Sequence, residues 1–167
     1  MVHELAEYER AAEHCHLTED QLRSALFPVA DGREGTDGSG TDPRPALFGH
    51  VAVDEADRPV GFALWFLNFS TWAGVHGIYL EDLYVHPTAR GTGAGRRLLA
   101  ALAAICVERG YQRLEWWMLD WNPAGAFYRA IGAEPMTEYV PFRLSGAALR
   151  DLAAGHGPAA PRPVPTP

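Results

Sequence analysis

Apolar residues recur with a helical period at the start of the chain. Residues 4–16 predict an amphipathic helix, because their apolar side chains fall on one face. These side chains are Leu5, Tyr8, Ala12 and Cys15. Thr18 and Gln21 then form a capping-box pattern, which predicts a second, short helix over residues 19–26.

Strand-length apolar runs follow in the middle of the chain. Residues 48–53, 60–69 and 75–85 are rich in aliphatic and aromatic side chains and are separated by turn-forming residues, so they predict an antiparallel meander. Further strands are predicted over residues 113–121 and 138–144.

A second helical pattern begins after a glycine-rich turn at residues 90–95. Its predicted buried face ends before Gly110, a residue suited to capping a helix C-terminus. That face consists of Leu98, Leu99, Leu102, Ile105 and Cys106. Short helices are predicted over residues 123–131, where Gly132 stops the helix, and over residues 147–154. The mixture of strands and helices predicts an α/β fold.

Two segments lack any apolar pattern. Residues 28–45 have the Gly, Asp, Thr and Pro composition of a mobile loop, and the Pro-rich tail at residues 155–167 is predicted to be disordered. One domain is therefore expected over residues 1–154, which is compatible with 167 residues that are 47% hydrophobic.

Composition excludes several classes of function. The chain has no apolar run long enough to cross a membrane and no secretory signal, so a cytoplasmic protein with no membrane partner is expected. A formal net charge of −7 argues against a nucleic-acid partner and suits a small cationic substrate. The two cysteines, Cys15 and Cys106, are expected to be reduced. His14, Cys15 and His16 do not share one face of a helix, so no metal site is predicted.

The turn at residues 90–95 has the features of an anion cradle. Its glycines expose successive backbone N–H groups, and the helix that follows adds the positive end of its dipole. Arg90, Arg96 and Arg97 add guanidinium groups that suit phosphate. A dinucleotide fingerprint is excluded because its third glycine would be Arg96, and no Gly-Lys-Ser/Thr sequence of a Walker loop follows.

Two adjacent carboxylates interrupt the apolar strand 75–85. Because neighbouring strand residues face opposite sides of a sheet, Glu81 or Asp82 must point into a buried or cleft environment. A buried carboxylate is costly unless it is paired or used. A structural ion pair with an arginine within the sheet is the alternative interpretation.

The order of several segments resembles the GNAT N-acetyltransferases, and within them the spermidine/spermine and thialysine N-acetyltransferase subgroup. The resemblance covers roughly residues 4–152. Its segments are LAEYER, LTEDQL, PVGFALWF, IYLEDLYV, ARGTGAGRRLL and WNPAGAFYRAIGA. The resemblance implies a mixed, mostly antiparallel sheet flanked by helices, here without the family's first strand. It also implies acetyl-CoA as cosubstrate, no metal, and a homodimer.

The same resemblance implies the roles of individual residues. Glu81 would bind the amine and accept its proton, and Tyr128 would protonate the departing coenzyme A thiolate. Coenzyme contacts would come from the end of the strand, the glycine loop and two later residues: Leu83, Tyr84, Val85, Arg90, Gly91, Thr92, Gly93, Ala94, Gly95, Arg96, Asn122 and Arg129. The substrate side would consist of Tyr8, Glu9, Trp72, Glu81, Asp82 and Trp117.

Three functions agree with these residues. The first is an acetyl-CoA-dependent N-acetyltransferase that acts directly on a primary amine of a polyamine or a lysine-like amino acid. The second keeps this chemistry but takes an antibiotic or protein amine. The third is a noncatalytic acyl-CoA-binding regulatory module, which needs the glycine loop but neither Glu81 nor Tyr128.

Overall fold

The computed structural model describes residues 1–28 and 45–156. The chain divides into two compact units, Met1–Pro123 and a second that begins at Ala124. The loop predicted over residues 28–45 and the tail predicted from residue 155 lie outside the described residues except at their ends. The first unit contains, in chain order, α1 (Val2–Tyr8), α2 (Glu19–Leu26), β1 (Phe48–Val53), β2 (Pro59–Ser70), β3 (Val75–Val85), α3 (Ala94–Arg109) and β4 (Leu114–Glu115).

A four-stranded sheet in the order β1-β2-β3-β4 forms the centre of this unit. The first three strands are antiparallel neighbours, as the meander predicted, whereas β4 runs parallel to β3. The prediction of a mixed, mostly antiparallel sheet flanked by helices is therefore confirmed. In the described residues, β4 pairs with β3 only at Ile78 and Tyr79, so residues 80–85 of β3 continue without a strand on that side.

The two faces of the sheet are covered by different helices. On one face Leu5 of α1 packs with Phe62, Leu64 and Tyr84, and α2 adds Leu22 and Leu26 around this cluster. Ala63 and Trp65 alternate with Phe62 and Leu64 and are buried on the opposite face. Helix α3, which packs against all four strands, covers that opposite face.

Glycines delimit α3 at both ends. Gly93, the residue before its first turn, has φ of 84°, and Gly110, the residue after its last turn, has φ of 69°. Both values lie in the left-handed region that glycine adopts without a steric penalty. The predicted cap at Gly110 is confirmed, and of the predicted apolar face only Ile105 is not fully buried. The predicted capping box at Thr18 and Gln21 is also present.

The helix predicted over residues 4–16 is wrong in its second half. Helix α1 ends at Tyr8, and only a short 3-10 turn, Ala12–His14, follows. The break occurs at Arg10, which has φ of 58°, a left-handed conformation that cannot continue a helix. The guanidinium of Arg10 lies over the ring of Trp121, 5.0 Å from its centroid, so a tertiary contact overrides the local pattern.

Two predicted strands are also corrected. The strand predicted over residues 113–121 is reduced to Leu114–Glu115, the only stretch that pairs with β3. Residues 138–144 form no strand and are largely exposed, so their apolar residues have no sheet to join in the described structure. In the second unit the predicted helices are present as α4 (Gly125–Ala130) and α5 (Gly146–Ala153).

Among the helices of the described ranges, none is both long and apolar enough to cross a membrane.

Candidate active site

A β-bulge in β3 decides where the two adjacent carboxylates point. Leu64 pairs with Asp82 while its neighbour Trp65 pairs with Leu80, so Glu81 is an extra residue in β3. Cross-strand partners share a face of a sheet. The bulge therefore places Asp82 on the face of Leu64, which α1 covers, although Leu80 two residues earlier points to the other face.

Asp82 is half-buried and is the less exposed member of the pair. Burial, reinforced by the negative charges of Glu81 and Glu9, raises the pKa of Asp82 to about 6 from an ordinary 3.8. Glu81 is exposed. From the sequence we expected Glu81 to be desolvated. Because of the bulge, Asp82 is desolvated instead.

Glu9 approaches these carboxylates from α1. Its charge acts on Asp82, which places it near β3, and partial burial raises the pKa of Glu9 itself. Three carboxylates from two separate segments are thus brought to one place. A bound cation would reduce the repulsion among these carboxylates.

Aromatic and cationic side chains hold the end of α1 on both sides of Glu9. The ring of Tyr8 lies 6.2 Å from the ring of Trp121, and the Tyr8 hydroxyl donates a hydrogen bond to Oδ1 of Asn122 at 3.5 Å. The guanidinium of Arg90 lies over the ring of Tyr8, 5.0 Å from its centroid. The structure therefore brings Tyr8, Asn122 and Arg90 together.

The glycine loop connects β3 to α3 in a defined conformation. Nε of Arg90 donates to the carbonyl of Val85 at 3.1 Å, and the Thr92 hydroxyl donates to the carbonyl of Ala89 at 2.8 Å. Gly91 and Gly93 both have positive φ, and Nη1 of Arg97 donates to the carbonyl of Thr92 at 3.0 Å. The first N–H groups of a helix have no acceptor within the helix, so those of α3 are suited to bind an anion at this loop.

The unpaired side of β3 leads directly into this loop. Residues 80–85 end only a few residues before Arg90, and their backbone groups on the β4 side have no strand partner in the described part of the chain. An extended ligand chain can pair with such an edge as another strand would. Leu83, Tyr84 and Val85, which the sequence resemblance assigns to coenzyme binding, lie on this segment.

A cleft of about 430 Å³ opens between α1 and the end of β3. It is lined by Glu4, Glu7, Tyr8, Tyr84, His86, Pro87 and Arg90. The buried Tyr84 donates a hydrogen bond to Oε2 of Glu4 at 2.8 Å, and this bond lowers the pKa of Glu4. Sequence reasoning missed Glu4 and His86, because a glutamate on an amphipathic helix and a histidine after a strand both look like ordinary surface residues.

The remaining predicted site residues belong to other elements of the chain. Trp72 is 97% exposed in the turn between β2 and β3. Eight residues of extended chain separate Gly74 from Asp82, or about 26 Å at the usual rise of a strand. The ring of Trp117 packs edge-on against Tyr79, with centroids 6.1 Å apart. Tyr128 and Arg129 lie on α4 of the second unit.

Metal binding has no support from side-chain clusters in the described ranges. No group of three or more His, Cys, Asp or Glu side chains there is arranged to hold an ion. Both Cys15 and Cys106 are free thiols, and Cys106 is buried, as predicted.

Comparison with known proteins identifies the family. The model of the acetyltransferase (GNAT) family matches residues 6–133. The bovine thialysine N-epsilon-acetyltransferase is 35% identical over 92% of this chain and 88% of its own length. The L-ornithine N5-acetyltransferase of Arabidopsis thaliana is 30% identical over 91% of this chain and 80% of its own length.

One solved structure is similar to most of the chain. An integron cassette protein from the mobile metagenome of Vibrio cholerae has 30% identity and a TM-score of 0.67, over 90% of this chain and 85% of that chain. The resemblance inferred from the motifs is confirmed. The chain is an acyltransferase and belongs to the GNAT acetyltransferase family.

Proposed function

We propose that this enzyme transfers an acetyl group from acetyl-CoA directly to a primary amine of a small cationic metabolite, with the side-chain amine of a lysine-like amino acid as the preferred acceptor. The observation that carries the proposal is the position of Asp82. The bulge places this carboxyl on the face that α1 covers, where the charge of Glu9 acts on it, and on the same strand that leads into the glycine loop. A cation site and an anion site are thereby joined by one strand.

The glycine loop would bind the pyrophosphate of the coenzyme. Its backbone N–H groups and the N-terminus of α3 provide neutral donors, while Arg90 and Arg96 provide charge. The pantetheine arm would lie along residues 83–85 and pair with their backbone groups. This path brings the thioester towards the bulge.

The carboxylates would bind the amine and take its proton. A protonated amine has no lone pair, so it must lose a proton before its nitrogen attacks the thioester carbonyl. A carboxyl with a pKa of about 6 is a better acceptor at neutral pH than one with an ordinary pKa, which favours Asp82 for this step. Glu81, which is exposed beside it, would pass the proton to water.

Tyr128 would complete the transfer as the general acid. When the amine nitrogen forms its bond to the carbonyl carbon, the carbon–sulfur bond breaks and the thiolate needs a proton. A tyrosine has a reference pKa of about 10 and a thiol of about 8.5, so tyrosine is protonated at neutral pH and can supply it.

The preference for a lysine-like amino acid is supported by the relatives. Proteins that are named for thialysine and L-ornithine acetylation match nearly the whole chain. Glu7, on the wall of the cleft, replaces the lysine that the polyamine subgroup has at this position, which weakens the case for a polyamine.

A panel of amines in a thiol-release assay tests the function. Purified enzyme with acetyl-CoA is expected to release coenzyme A with L-ornithine and thialysine, and more slowly with spermidine. Glycine, which has no side-chain amine, is the matched control and should give the background rate. Release with none of the amines would contradict the proposal.

We also propose that the enzyme works as a homodimer. In the described residues β1 pairs only with β2, and an unpaired sheet edge favours association. Sedimentation velocity should show a dimer at micromolar concentration, and a monomer would contradict this assembly.

A further inference from the structure

The contact between Arg90 and Tyr8 joins the glycine loop to the end of α1. The guanidinium carbon of Arg90 lies 5.0 Å from the centroid of the Tyr8 ring, within the range of a cation–π interaction. Both residues line the same 430 Å³ cleft. Arg90 therefore belongs to the loop proposed for the coenzyme and also contacts the last residue of α1, which directly precedes Glu9.

Arg90 can serve both contacts at once. A guanidinium has five N–H donors, and the carbonyl of Val85 accepts from Nε. Among the described residues no hydrogen-bond acceptor is assigned to its other four donors, which suit phosphate oxygens. Because a guanidinium can stack on an aromatic ring while its edge donates hydrogen bonds, phosphate binding does not require Arg90 to leave Tyr8.

The end of α1 needs such support because the next residue, Glu9, carries a negative charge that acts on Asp82. Burial is the main cause of the raised pKa of Asp82, and the negative charges of Glu81 and Glu9 add to it, so Glu9 and Asp82 repel each other. Tyr8 and Arg10 flank Glu9 and are each held by one cation–π contact, to Arg90 and to Trp121 respectively. Releasing Tyr8 would let Glu9 move away from Asp82.

We propose that Arg90 is a positioning residue that couples the coenzyme site to the amine site. Coenzyme A fixes the guanidinium over Tyr8, this holds Glu9 against Asp82, and the amine then binds more tightly. Since coupling is reciprocal, the amine also strengthens coenzyme binding. This inference rests on the proposed function, because it takes the glycine loop as the coenzyme site.

Isothermal titration measures the coupling as a ratio. L-Ornithine is titrated into the enzyme alone and into the enzyme saturated with coenzyme A, which carries no acetyl group and cannot react. The ratio of the two dissociation constants should exceed one in the wild type. In Tyr8→Leu it should fall by about two- to five-fold, which is what an exposed cation–π contact contributes.

Three variants separate coupling from general loss of binding. Tyr8→Phe keeps the ring and should keep the ratio. Arg10→Gln removes the other cation–π contact, so it should weaken L-ornithine binding equally with and without coenzyme A. Arg96→Gln should lower coenzyme affinity through lost charge but preserve the ratio. If Tyr8→Leu does not fold by circular dichroism, Arg90→Gln replaces it and should also reduce the ratio.

Two results would overturn the inference: a wild-type ratio of one, or an unchanged ratio in Tyr8→Leu and Arg90→Gln. A fall of the ratio in Arg10→Gln as large as that in Tyr8→Leu would also overturn it, because the effect would then be a general loosening of α1. The proposed function fails differently. In that case the wild type binds no coenzyme A and acetylates no amine.

Discussion

Asp82 and Leu64 are direct partners across β3 and β2, and this register places a carboxyl on a face that is otherwise apolar. Phe62, Leu64 and Tyr84 on the same face pack under α1. A carboxyl in such surroundings resists ionisation. The stability of the protein and the chemistry of the site should therefore both respond to the protonation of Asp82.

The first prediction concerns stability. The pKa of Asp82 is about 6 in the folded chain and 3.8 ordinarily, so between these values the folded chain holds a proton that the unfolded chain has released. The free energy of unfolding should fall as the pH rises through this window, by roughly 3 kcal/mol in total. Asp82→Asn should remove this loss.

Urea denaturation of wild type and Asp82→Asn at pH 4, 5, 6 and 7 measures this pH dependence of the free energy of unfolding. The variant should be more stable than the wild type at pH 7, and the difference should vanish near pH 4. Glu108→Gln, which changes an exposed carboxylate on α3, is the control and should show no such trend. A difference between Asp82→Asn and wild type that is independent of pH would refute the assignment.

The second prediction separates the two carboxylates in catalysis. If Asp82 accepts the amine proton, log kcat/KM should bend at about pH 6 in the wild type, and Asp82→Asn should lower kcat/KM by roughly 10²-fold or more and lose the bend. Glu81→Gln should keep the bend with a smaller loss. If instead Glu81→Gln loses the bend and Asp82→Asn keeps it, Glu81 is the proton acceptor.

The third prediction concerns the coenzyme loop. Gly93→Asp adds a negative charge next to the expected phosphates and should abolish coenzyme A binding in isothermal titration. Gly93→Asn is the matched control, because asparagine has the same shape and also tolerates the positive φ of 84°. In both variants the new Cβ would lie 3.3 Å from Nη1 of Arg97, the far end of a flexible side chain. Equal affinities of the Gly93→Asp and Gly93→Asn variants for coenzyme A would show that its phosphates do not bind at this loop.

The fourth prediction concerns the departing thiolate. Tyr128→Phe removes the hydroxyl and keeps the ring, so kcat should fall by roughly 10²- to 10⁴-fold while the affinity for acetyl-CoA stays close to that of wild type. Phe127→Leu, on the adjacent position of α4, is the control for packing. A normal kcat in Tyr128→Phe would show that another donor protonates the thiolate.

Much of the fold was readable from the sequence because local signals and tertiary structure agree there. Strands 48–53 and 75–85 have the predicted bounds, since both segments pair with β2 along their length. The capping box at Thr18 also formed as its pattern indicates. The glycines of the loop were informative because positive φ is required at Gly91 and Gly93.

The bulge and the helix break were not readable, because long-range contacts produce them. Alternation showed that one of Glu81 and Asp82 must be buried, but the register against Leu64 and Trp65 decides which. The end of α1 at Tyr8 depends on the contact between Arg10 and Trp121, more than a hundred residues apart. The predicted strand from residue 113 is short because β3 offers it only two partners.

The product of a single reaction tests the central claim most directly. The enzyme is incubated with acetyl-CoA carrying a ¹³C-labelled acetyl group and with L-ornithine, and the amino acid is analysed by mass spectrometry and NMR. The account predicts label in an amide on the side-chain nitrogen, one coenzyme A released for each acetyl group transferred, and no acetylated protein. Label on no amine, or label retained on the enzyme, would contradict it.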